Sequence, residues 1–128
     1  MNKSRLAALV YGVVSLAVIA FQIALAAGAP LGAYAMGGAF PGQFPPELRV
    51  AAVVQAVILA LLALVVLSRA GVTLPKWSAS RWLIWVVVAF SALSLVLNLI
   101  TPSAGERLLW APVAFIMLVS SVIVARNK

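Results

Sequence analysis

The stretch 50-VAAVVQAVILALLALVVLSRAGVTLPKWSASRWLIWVVVAFSALSLVLNLI-100 holds two apolar runs, Val50–Ser68 and Trp82–Ile100, joined by a basic connection. Neither run contains an ionisable residue, and each is 19 residues long. A helix rising about 1.5 Å per residue needs about that length to cross a hydrocarbon core ~30 Å thick. The connection 69–81 carries Arg69, Lys76 and Arg81 and no acid. Lysine and arginine in short loops mark the cytoplasmic side of a membrane protein, so the connection is predicted to lie inside, with the two runs crossing in opposite directions.

Two further spans flank this pair. One covers 6–27, behind Lys3 and Arg5, and the other covers 108–125, ahead of Arg126 and Lys128. On this map the inner side collects seven cations with no acid, while the outer side holds only Glu47, Arg49, Glu106 and Arg107. The predicted fold is therefore an all-α integral membrane protein, a four-transmembrane-helix bundle of two hairpins with both termini inside. It forms a single membrane domain over 1–128, with an outer loop 28–49, an inner loop 69–81 and an outer turn 101–107. The first span also resembles a secretory signal, since Ala24-Leu25-Ala26 offers a cleavage pattern. Signal cores run to only about 7–15 apolar residues, and this one exceeds that, so a retained span is expected.

Composition agrees with a bilayer as the solvent. The chain is 66% hydrophobic and 9% charged, too apolar to be coated as a soluble globule. Its pI of about 11.4 reflects bases beside the spans, where anionic headgroups receive them, so no nucleic-acid partner is expected. With no His, Cys or Asp and only two Glu, imidazole acid–base chemistry, thiol chemistry and His-ligated metals lose their parts. No catalytic residue, metal site or cofactor is predicted, and the chain is read as non-enzymatic. Small multidrug exporters resemble it in having four short helices, but they depend on a membrane-embedded glutamate in the first helix, where this chain offers Gln22. No carboxylate lies in the middle of any span.

Both outer turns end in helix-start chemistry. Pro45, Pro46 and Glu47 precede the second span, and Ser103 and Glu106 before the fourth have capping-box spacing. Glu47 with Arg49, and Glu106 with Arg107, read as caps and solvated ion pairs. Their similarity leaves open a duplicated hairpin. Trp77 and Trp82 on the inner side and Trp110 on the outer side suit an aromatic belt.

The segment from Gly28 to Pro46 carries five of the eight glycines, four of the seven prolines and no charge. Leu31, Tyr34, Met36, Phe40 and Phe44 are poorly suited to a free aqueous loop. The segment is expected either to cap the bundle, with protein groups satisfying its backbone, or to dip its aromatics into the headgroups.

Polar residues within the spans fall into stripes at helical spacing: Tyr11, Ser15 and Gln22 in the first; Ser91, Ser94, Asn98 and Thr101 in the third. In the second, Gln55 shares a side with Ala51, Ala52, Leu59 and Ala63; in the fourth, Arg107, Trp110, Ala114, Met117 and Ser121 align. Small and polar faces should point inward. Gln22, Gln55 and Asn98 all fall within about 10 Å of the outer surface by helical rise. Either they join helices by hydrogen bonds, or with Arg107, Trp110 and Tyr34 they line a pocket.

The runs Gly28-Ala29-Pro30-Leu31-Gly32, Gly37-Gly38, Leu48-Arg49 and Asn98 through Glu106-Arg107-Leu108-Leu109-Trp110 to Pro112-Val113 give the chain a recognisable outer face. In these it resembles a widespread group of small, uncharacterised four-span bacterial membrane proteins. The resemblance implies a bacterial inner membrane and carries over no activity. Two readings follow. One is binding or passage of a small amphipathic or lipid-like ligand in an outer-leaflet pocket, with Gln22, Gln55 and Asn98 as hydrogen-bonding groups, Arg107 as anion partner and Trp110 and Tyr34 as walls. The other is a structural or accessory subunit that oligomerises or docks on a partner membrane protein.

Overall fold

Four helices account for nearly all of the regular structure in the computed structural model, which describes residues 2–73 and 81–127. They are α1 (Lys3–Ala26), α2 (Pro46–Arg69), α3 (Arg81–Ile100) and α4 (Ala104–Arg126), and each is long and apolar enough to span a membrane. Lys76 and Trp77, expected on the basic connection, lie outside the described residues. The helices extend past the apolar runs because their ends are built by polar caps. Asn2 accepts a hydrogen bond from the Arg5 amide at α1, Pro46 occupies the first position of α2, and Ser103 accepts from the Glu106 amide at α4.

The C-terminal ends of α1 and α2 close in the same way. Gly28 and Gly71 take left-handed φ of 98° and 77°. At α1 the Gly28 and Ala29 amides return to Leu25 and Ala24, and at α2 the Gly71 and Val72 amides return to Ser68 and Leu67. This is the Schellman pattern, which satisfies carbonyls that would otherwise be orphaned.

α1 packs closely along both α2 and α4, and α3 packs closely on α4, whereas α2 and α3 touch much less. The helices thus form a ring whose loosest seam lies between α2 and α3. Small residues make up much of their buried faces: Ala7, Ala8, Ala52, Ala56, Ala63, Ala111 and Ala114, with Ser4, Ser15, Ser91, Ser120 and Ser121, interleaved with larger ones such as Tyr11, Leu59, Val66 and Ile84. Many of the large apolar side chains point away, among them Val13, Leu16, Leu61, Ile100 and Leu108. Such an inversion suits a solvent of hydrocarbon, where close backbone approach rather than water exclusion holds helices together.

At the end carrying both termini the helices pack on one another, with Ala8 and Tyr11 of α1, Val66 of α2, Ile84 and Val87 of α3 and Val124 of α4 in one cluster. Within it the Tyr11 hydroxyl lies near Ser91 on α3 without closing a well-formed hydrogen bond. At the opposite end the α1–α2 connection folds down onto the helices, burying Phe44 against Leu25 and Ala52. Leu31 and Ala35 pack on the same cluster, whereas Tyr34, Met36 and Phe40 remain partly exposed. The connection forms a roof, which meets the capping expectation for Phe44 and Leu31 but not for Tyr34, Met36 and Phe40.

Candidate functional site

Beneath that roof, between all four helices, lies a cavity of about 350 Å³. Gln22 of α1, Gln55 of α2 and Asn98 of α3 all line it, with Trp110 of α4 and Tyr34 and Met36 of the connection. Gln22 and Asn98 lie within about one turn of their helices' loop-side ends and Gln55 about two and a half turns in, and all three face the cavity. Gln22 and Gln55 make no hydrogen bond among the described residues, so neither ties one helix to another. Asn98 turns its amide nitrogen onto its own helix, donating to the Ser94 carbonyl at 2.7 Å, which leaves its oxygen for the cavity. Ser91, buried and without a formed hydrogen bond, lines the cavity from α3.

The remaining wall is aromatic and apolar. Phe21 and Trp110 meet with ring centroids 4.7 Å apart and planes inclined at 59°, a tilted pairing favoured by the ring quadrupoles. Phe44 and Phe90 also line the cavity, with Leu59, Ala114 and Met117.

Three sequence expectations are corrected here. Arg107, read as an anion partner for a ligand, is exposed and does not line the cavity; its Nη2 donates to the Thr101 carbonyl at 2.7 Å. Its neighbour Glu106 takes the inward place, 8% exposed and lining the cavity. Nor does either acid pair with the arginine near it. Glu106 Oε2 accepts the Gly37 amide at 3.2 Å, while Arg49 Nε donates to the Phe44 carbonyl at 2.9 Å. Only half of the expected capping box forms, since Ser103 caps the Glu106 amide but the Ser103 amide turns to Thr101 Oγ1 at 3.3 Å. The physical reason is tertiary. The connection presents an amide that Glu106 reaches instead, and guanidinium groups beside unpaired helix-end and loop carbonyls satisfy those first.

Glu106 belongs to a row of three α4 groups that hold the roof down. Ser103 Oγ donates to the Ala33 carbonyl at 2.8 Å and Trp110 Nε1 to the Tyr34 carbonyl at 3.0 Å, flanking the Gly37–Glu106 bond. Met36, Gly37 and Gly38 all adopt left-handed φ, at 50°, 69° and 76°, and this turn aims the Gly37 amide downward. Glycine reaches that region without penalty. Ser103→Ala removes the α4 cap and one roof contact together. A thermal melt should show a loss of about 1–2 kcal/mol, larger than for a cap alone in an exposed helix.

The sequence reading had not assigned Phe21, Phe90 or Ser91 to the site. Each sits beside or one turn from a residue of the polar stripes, so that spacing was the available signal. Among the described residues no group of three or more His, Cys, Asp or Glu could hold a metal ion. In comparison with known proteins, no family model, no curated protein and no solved structure matches the chain. The site therefore has to be understood from its own chemistry.

Proposed function

We propose that this protein is a non-enzymatic binder or conduit for a small amphipathic or lipid-like molecule, held in the cavity beneath the α1–α2 connection. The observation that carries this reading is that Gln22 and Gln55 leave their amides unspent at the wall of a cavity of about 350 Å³. Were these residues interhelical fasteners, their hydrogen bonds would cross between helices. A cavity of this size, mostly apolar with a few convergent polar groups, has the make-up of a small-molecule site. The charge map supports an orientation with both termini cytoplasmic, and the resemblance to small four-span bacterial membrane proteins supports an inner membrane; the cavity would then lie toward the outer leaflet. The sparse α2–α3 contact then offers a lateral route from the lipid.

Native mass spectrometry of protein gently released from its own membrane tests the reading. Wild type should retain a small molecule or lipid that a folded Gln22→Leu, Asn98→Leu double variant loses. A ligand-free mass accompanied by a co-purifying protein would replace it with the accessory-subunit reading. That second reading draws support from Met36 and Phe40, which stand 56% and 41% exposed on the roof and suit docking on a partner.

A further inference from the structure

We propose that the cavity selects a cation, specifically an amphipathic amine or quaternary ammonium, with Glu106 as its counter-charge. The inference rests on the reading of the cavity as a binding site and adds the charge of the occupant.

Among the described residues, Glu106 is the only charged side chain that lines the cavity; no lysine or arginine of that set does. It is nine-tenths buried, and its neighbour Arg107 is engaged with Thr101. A carboxylate offers about four acceptor positions, and among the described residues Glu106 uses one, for the Gly37 amide. A buried carboxylate without an ion-pair partner is costly, and a ligand cation would recover that cost. The surrounding wall is suited to the same charge. Aromatic faces attract ammonium groups through the ring quadrupole, and Phe21, Tyr34, Phe44, Phe90 and Trp110 all contribute to the lining. Asn98, which spends one N–H on the Ser94 carbonyl, lines the cavity with an acceptor oxygen that makes no hydrogen bond among the described residues. An anionic headgroup would meet Glu106 with no positive group to offset it, and a neutral apolar molecule would leave the carboxylate as unpaired as before.

The test compares two ions of nearly the same shape and opposite charge, tetraphenylphosphonium and tetraphenylborate. Each is titrated calorimetrically into the full chain in zwitterionic lipid nanodiscs, with empty nanodiscs subtracted. Wild type should bind the phosphonium saturably and at least tenfold more tightly than the borate. Glu106→Gln, which keeps an oxygen for the Gly37 amide, should lose at least tenfold in phosphonium affinity and none for the borate. Glu106→Asp should retain the cation preference, which separates loss of charge from loss of fold. Equal affinities for the two ions, or phosphonium binding indifferent to Glu106→Gln, would overturn the proposal. The underlying reading would survive those results if native mass spectrometry still found a neutral or anionic molecule lost from the Gln22→Leu, Asn98→Leu variant. Saturable binding of neither ion, together with a ligand-free native mass, would overturn both.

Discussion

Replacing Gly32 with alanine is expected to lift the roof from the bundle. A Cβ at Gly32 would collide with the Phe40 carbonyl oxygen and stand 2.8 Å from that of Gly42, both of them main chain. The same glycine donates its amide to the Gly42 carbonyl at 2.9 Å. A side-chain neighbour would rotate away, but here two backbone segments must separate and the connection's internal bond goes with them. The strain is placed at about 2–3 kcal/mol against the closed roof, the scale of an overpacked core. That is more than a tenfold change in the balance of closed and open forms. Because the chain has no cysteine, Ala52→Cys supplies a single thiol in a position only 3% exposed, beneath Phe44. Its reaction with a water-soluble maleimide should accelerate at least tenfold when Gly32→Ala is added, while circular dichroism reports four intact helices. An unchanged labelling rate would mean that the connection yields elsewhere and keeps its seat.

Filling the cavity should have the largest effect on ligand retention. Ala114 is 5% exposed and lines the cavity from α4, so Ala114→Phe directs a ring into space already present rather than into a packed seam. Stability should fall by no more than about 1–3 kcal/mol, and retention of the native small molecule should drop at least tenfold. The variant separates site from scaffold more cleanly than removal of Gln22 or Asn98, because it deletes no polar group. Full retention in a folded Ala114→Phe protein would place the ligand outside the cavity and remove the support for a binding role.

Much of the architecture could be read in advance because hydrocarbon as a solvent is an undemanding code. Four apolar runs without charge had to become helices, since only internally bonded backbone is tolerated there. The helix ends were less legible. α2 starts at Pro46 and α4 at Ala104, several residues before the apolar runs, because caps rather than hydropathy set those boundaries. Within the site, Gln22, Gln55 and Asn98 stood out as polar residues on inward stripes near the outer ends of their helices. Glu106 and Arg107 did not separate in the same way. Adjacent positions on a helix differ by about 100°, and the stripe through Trp110, Ala114 and Met117 passes close to both. The choice between them was made by an amide from Gly37, nearly seventy residues away in sequence, and no local pattern encodes that. For the same reason the capping-box spacing was only half fulfilled.

The three bonds that hold the roof have an asymmetry with practical weight. On the α4 side they come from the side chains of Ser103, Glu106 and Trp110; on the roof side they engage only the carbonyls of Ala33 and Tyr34 and the amide of Gly37. The helix thus reads the path of the connection and not its lettering. Side chains of that segment that neither pack on the bundle nor line the cavity are free to drift without loosening the closure, provided the glycines keep the path. The roof's outward surface can therefore be rewritten, to meet a different partner or a different lipid environment, while the chamber beneath it stays the same.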